Sequence, residues 1–244
     1  MSAARETAPR HLDALTGIRG IAAWFVVFYH MRETLAALFP PWVIATFAKG
    51  YLAVDLFFML SGFVLWYNYA DRLSQFGLTE AGKFMWRRIA RIWPLHAFIL
   101  SLMIALSLVL AATGPQNTNY PWAELPLHFL LIQNWGMTEA LTWNDPAWSI
   151  STELAAYLLF PFVVAAARWE KLSGFALALI AASQLAVLHL LFALNGETGL
   201  GAEISRIGLW RCLLEFSLGN VLCIVWSRYG ERRHFAAAAA LACA

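Results

Sequence analysis

Six stretches of about twenty residues are dominated by apolar side chains, and this pattern constrains the chain more than anything else in it. They run from Leu15 to Leu38, Tyr51 to Ala70, Trp93 to Thr113, Ala147 to Ala167, Gly174 to Leu194 and Ile207 to Trp226; a seventh begins at Phe235. A helix of about 20 apolar residues spans the hydrocarbon core of a bilayer, with every backbone polar group paired internally. The sequence therefore predicts an all-α fold, a polytopic transmembrane helical bundle of six spans plus the start of a seventh. Of its 244 residues, 61% are hydrophobic and 13% charged, against about half and about a quarter in soluble domains. That balance excludes a single soluble globule, a disordered chain and a nucleic-acid-binding module. Cys212, Cys223 and Cys243 lie in apolar stretches and read as small buried hydrophobes. The apolar run after the N-terminus is long and lacks a small-residue cleavage site, so it is no removable signal. Residues 1–244 read as one membrane-embedded domain with a tail over 1–11. The chain ends inside an apolar run, so it is expected to be a fragment.

Lys and Arg fix the expected orientation, because cytoplasmic loops are enriched in them. The tail holds Arg5 and Arg10. The expected loop between spans two and three holds Arg72, Lys83, Arg87, Arg88 and Arg91; Arg168 and Lys171 follow span four, and Arg228, Arg232 and Arg233 follow span six. The segment from Gly114 to Pro146 has none. Arg32 and Lys49 after span one are the exception. The N-terminus is expected in the cytoplasm and the bilayer is the first partner. Trp42, Tyr51, Tyr69, Trp93, Trp122, Trp135, Trp143 and Trp148 stand near span ends as interfacial anchors do. Leu125 to Trp135 is too short to span and reads as re-entrant or interfacial.

Ionisable groups within spans are costly and mark function by default. His30, Asp55 and Glu153 are all expected in the outer half of the membrane. An imidazole near carboxylates suits general-base work. The structural alternative is a satisfied core histidine, with carboxylates paired to helix ends or to Arg32. The functional reading is taken for His30 and Glu153; for Asp55 both stand. Arg19 precedes His30 by eleven residues, about 20° short of or past a whole number of turns, so both share a helix face about 16 Å apart. That spacing suits a long ligand with an anionic head and a reactive tail, although Arg19 alone also fits a snorkelling residue. Arg88 and Arg91 share a face, where two guanidinium forks suit phosphates or anionic lipid. Ser61-Gly62 interrupts span two, either for close helix packing or beside a ligand path. Ser149, Ser151, Thr152 and Glu153 make the start of span four polar enough to face a cavity, and Trp148 beside them is taken with Ser61, Ser149 and Ser151 as lining a substrate path.

Four stretches in order also carry a likeness. Leu12 to Ala23 with Tyr29-His30 includes an Arg, ten residues, then His. Val54 to Phe63, Arg88-Ile-Ala-Arg91 with Trp93-Pro94, and Trp148-Ser-Ile-Ser-Thr-Glu153 follow it. Together they resemble the integral membrane acyltransferase family 3, the O-acyltransferases of extracytoplasmic polysaccharides and other hydroxyl-bearing acceptors. Arg211 to Leu222, with Glu215 and Gly219, is a weaker likeness. Leu154 and Ala155 depart from the family pattern, which has a second acidic residue and Gln after the Glu. The resemblance implies about ten helices, of which this chain is expected to lack the last three or four. It implies a bacterial inner-membrane protein that uses acyl-coenzyme A, acetyl-coenzyme A above all, as cytoplasmic donor, with no metal. It implies donor phosphates on Arg19, Arg88 and Arg91, and an acceptor hydroxyl, on a carbohydrate or similar molecule, deprotonated by His30. Glu153 would orient the imidazolium, and Ser61 would be an acyl carrier or a packing residue. The competing expectation is a proton-coupled transporter or channel with His30, Asp55 and Glu153 as a relay. That fold expects internal repeats, and the sequence has none. A non-catalytic scaffold would not explain four polar motifs in order.

Overall fold

Apolar runs bounded by Gly, Pro and polar residues become helices where the sequence places them. The structure, a computed structural model, describes residues 13–114, 119–166, 168–197 and 199–230. Its helices are α1 (Asp13–Leu35), α2 (Pro41–Phe47), α3 (Leu52–Thr113), α4 (Leu125–Leu130), α5 (Ala147–Ala166), α6 (Gly174–Leu194) and α7 (Ile204–Tyr229). No strand occurs among the described residues. Arg5, Arg10, Arg232, Arg233, Cys243 and the seventh run lie outside the described residues. Five helices are long and apolar enough to cross a membrane, and the protein is a multi-pass membrane protein.

The second and third expected spans form one 62-residue helical segment. Straight, it would extend about 90 Å at 1.5 Å per residue, about three bilayer cores. It folds back instead at Gly77, whose φ of 54° and ψ of −131° suit a residue without Cβ. The Tyr69 and Phe84 rings sit 5.1 Å apart across the fold. Arg72 reaches Glu80 at 3.1 Å, and Glu80 is buried. Two arms result, over 52–76 and 78–113. The basic loop expected between spans two and three is thus a correction: Arg72, Lys83, Arg87, Arg88 and Arg91 are helical. Arg, Lys and Glu are good helix formers, so the helices continue past the apolar runs to the ion pairs at the fold.

Helix α7 crosses the first arm of α3 at backbone contact. A Cβ on Gly62 would run into the Phe216 carbonyl oxygen, and one on Gly219 into the Met59 carbonyl oxygen. Small residues permit such approaches between membrane helices, so the packing reading of the Ser61-Gly62 step holds for Gly62. Around this crossing Phe58, Trp66, Phe84, Tyr157, Phe160 and Phe216 form the core. Cys212 and Cys223 are buried free thiols.

The segment between α4 and α5 folds inward. Leu131 ends α4 in the left-handed conformation. The Asn134 N–H donates to the Ser151 hydroxyl at 3.2 Å, the Asn134 side chain donates to the Ile204 carbonyl at 3.1 Å, and Trp135 Nε1 donates to the Ser151 carbonyl at 2.9 Å. Trp143 Nε1 donates to the Pro121 carbonyl at 3.0 Å. Tyr69, Trp143 and Trp148 are buried, which corrects the expectation that they anchor at the interface. Their polar tips and flat faces found partners inside the protein. Trp42 and Trp122 are exposed.

Candidate active site

Two cavities flank α1, one around arginines and one around a histidine. The arginine cavity, about 290 Å³, is bordered by Arg19 of α1, Arg88 and Arg91 of α3, and Ser149, Glu153 and Tyr157 of α5. The first arm of α3 supplies Val54, Phe57, Phe58, Ser61, Val64 and Leu65, a spacing of three and four that keeps one helix face on the cavity. The Ser61 hydroxyl donates to Glu153 Oε1 in a short hydrogen bond, and the Tyr157 hydroxyl adjoins both. Arg88 stacks its guanidinium 5.4 Å from the Tyr69 ring centre and donates to the Tyr69 hydroxyl at 3.2 Å. Its buried Nε has no partner. The three arginines taken from two distant motifs therefore converge on one space, with a single carboxylate among them.

The histidine cavity, about 280 Å³, is bordered by Tyr29, His30, Arg32, Asp145, Trp148 and Arg211, among others. Val54 borders both cavities. Arg19 and His30 thus look into adjoining spaces from one face of α1, as their spacing predicts. Burial pushes the Asp145 carboxyl above its ordinary range, and the charge of His30 opposes that rise. Arg32 donates to the Tyr29 carbonyl at 2.6 Å and meets Glu33 at 3.3 Å.

Beneath this cavity Arg211 is 1% exposed. Its Nε and Nη2 reach Asp55 Oδ1 at 2.7 and 2.6 Å, and Nε also lies 3.5 Å from Glu215 Oε1. The Leu200 carbonyl accepts from Nη1 at 2.6 Å. A buried guanidinium needs such compensation, and Asp55 supplies it.

The expected site residues therefore divide. Arg19, Arg88, Arg91, Ser61, Ser149 and Glu153 meet at the arginine cavity, and His30 and Trp148 at the other. Glu153 does not border the histidine cavity. Asp55 is held by Arg211. Ser151 is fully buried and its hydroxyl accepts from the Asn134 N–H. Sequence reasoning gave no role to Asp145, Tyr157 or Arg211. Arg211 and Glu215 had a signal, two ionisable residues one turn apart within an apolar run; Asp145 stood beside Pro146 at the start of α5, and Tyr157 had none.

A family model described as an acyltransferase domain matches residues 12–244. Protein 2 in the picA locus of Rhizobium radiobacter is 33% identical over 181 residues, covering 67% of this chain and 85% of that protein. Acyltransferase MdmB of Streptomyces mycarofaciens is 32% identical over 237 residues, 88% of this chain and 57% of MdmB. O-acetyltransferase OatA of Staphylococcus aureus is 21% identical over 240 residues, 92% of this chain and 36% of OatA. The chain thus spans little more than half of MdmB and little more than a third of OatA. No solved structure matches the chain. Because the family match begins where the first of the four ordered motifs begins and runs through all of them, the chain belongs to the acyltransferase-domain family.

Proposed function

We propose that the protein is a bacterial inner-membrane O-acyltransferase with its N-terminus in the cytoplasm. It moves an acyl group, acetyl in the first instance, from acyl-coenzyme A to a hydroxyl of an extracytoplasmic carbohydrate or similar acceptor. One observation carries this reading: Arg19, Arg88 and Arg91 border a cavity that adjoins, across Val54, the cavity holding His30. Guanidinium forks suit phosphate oxygens geometrically and electrostatically, and the unpartnered, buried Arg88 Nε is a donor in want of an acceptor. The name of MdmB, an acyltransferase, agrees with acyl transfer, and that of OatA, an O-acetyltransferase, with transfer to oxygen.

In this mechanism the donor phosphates rest on the three arginines and the thioester arm follows α1 past Val54. The acceptor enters the histidine cavity from the opposite side. A His30 ring nitrogen takes the hydroxyl proton as the acceptor oxygen bonds to the thioester carbonyl carbon. The carbon–sulfur bond then breaks, and the coenzyme A thiolate leaves and takes the proton back from His30. Glu153 has a different part from the one its sequence position suggested. It borders the donor path, where it fixes Ser61 and balances the arginine charge.

The test is release of free coenzyme A from labelled acetyl-coenzyme A by the full-length protein in membranes. His30→Ala should lower turnover by at least about 100-fold, the scale of general-base catalysis. Arg88→Ala should weaken donor affinity by about tenfold, the scale of a lost charge-assisted hydrogen bond. Retained turnover in His30→Ala would overturn the base assignment, and coenzyme A binding indifferent to Arg88→Ala would overturn the donor site.

A further inference from the structure

The titratable groups that share the cavity with His30 come from every element around it. Tyr29 and Arg32 stand on α1, Tyr51 precedes α3, Asp145 precedes α5, and Arg211 stands on α7. Two of these are cations, and both are already engaged. Arg211 is held by Asp55 and Glu215, and Arg32 by Glu33 and the Tyr29 carbonyl. Asp145 is the carboxylate of the cavity wall. Its main chain is held firmly: the Ala147 N–H donates to the Asn144 carbonyl at 2.9 Å, and the Trp148 N–H to the Asp145 carbonyl at 3.1 Å. Pro146 fixes the next φ. Trp148 is wedged between the Phe58 ring, 5.8 Å away, and the Arg211 guanidinium, 5.6 Å away. Asp145 is therefore carried on a braced segment and shares the cavity wall with His30.

Resting on the acyltransferase reading above, we propose that Asp145, and not Glu153, is the positioning residue whose negative charge supports His30 as it becomes an imidazolium. A carboxylate facing an imidazole favours the protonated ring. It makes His30 a stronger base when the acceptor proton is transferred, the part a carboxylate plays beside histidine in hydrolytic triads.

Two readouts on the full-length protein test this. The first is direct titration of His30 by NMR of histidine-labelled protein in lipid nanodiscs, the resonance identified by its loss in His30→Gln among the six histidines. The His30 titration should change in Asp145→Asn, and Asp145→Glu should restore it. The second is the pH profile of acetyl-coenzyme A turnover in membranes. The acid limb should move with the His30 titration in Asp145→Asn, with the plateau down about tenfold. A purely structural defect would lower the plateau and leave the limb in place. An unmoved His30 midpoint in Asp145→Asn, or a midpoint that moves in Glu153→Gln instead, overturns the proposal. Absence of turnover in the unaltered protein with a moved midpoint overturns the acyltransferase reading and keeps the His30–Asp145 pairing.

Discussion

Arg211 shows how one side chain organises its surroundings. Its guanidinium binds Asp55 of α3, Glu215 one turn along α7, and the Leu200 carbonyl. Removing one member of a buried pair leaves the other charge uncompensated, at about 3–5 kcal/mol. Arg211→Met is therefore expected to lower the thermal stability of the purified protein sharply, and Asp55→Asn to do so nearly as much. The double replacement Asp55→Leu with Arg211→Met should recover much of the loss, measured by melting in detergent. Equal melting of the single and double variants would contradict this account. At this scale sequence was a good guide to residue type and a poorer one to partners. Intramembrane ionisable residues stood out singly, so His30, Asp55, Glu153 and the arginines were legible. That Asp55 serves Arg211, and that Asp145 rather than Glu153 shares a cavity with His30, depends on how far each helix is rotated and shifted. Apolar periodicity does not encode that in helices that are apolar nearly all round.

Among the helices, the crossing of α3 and α7 admits no side chain at two positions. Gly219→Ala would drive a methyl group into the Met59 carbonyl. Overpacking of this kind costs about 1–3 kcal/mol, and Gly219→Leu should prevent the folded protein from accumulating, read as loss of the monodisperse peak in detergent. Helix α4 offers a pH test. His128 is buried; its Nε2 donates to Thr142 Oγ1 at 2.9 Å, and that hydroxyl donates to Glu124 Oε2 at 2.7 Å. Burial, with His96 nearby, pushes the His128 imidazole down to about 4. The unfolded chain then binds more protons than the folded one between about pH 6.5 and 4, so stability falls as pH falls through that window. Melting temperature should decline over it, and His128→Gln should flatten the decline. Helix positions were largely legible, because α5 and α6 begin where the apolar runs begin. Helix α2 was not, nor the length of α3, since basic residues that end an apolar run do not end a helix.

Taken as a whole, the molecule sets two compartments against one face of α1 with Val54 as their common wall. If the thioester arm passes there, Val54→Phe should abolish transfer and leave coenzyme A affinity within about twofold, since no phosphate contact is lost. A matching loss of affinity would mean that Val54 shapes the donor cavity alone. The bundle itself was legible from hydropathy, and its division into two spaces was not, because cavities arise from packing of segments far apart in sequence. The Asp55–Arg211 pair carries a last consequence, for biosynthesis. The two residues are 156 positions apart, so Asp55 enters the bilayer long before its counter-ion has been translated. A lone charge costs about 3 kcal/mol at the centre of an inserting membrane helix and less towards the end, where Asp55 stands in the first turn of α3. The nascent first arm of α3 is thus held in a poorly satisfied state until α7 arrives, and quality-control proteases that recognise unpaired intramembrane charge could tell a finished chain from one arrested before residue 211.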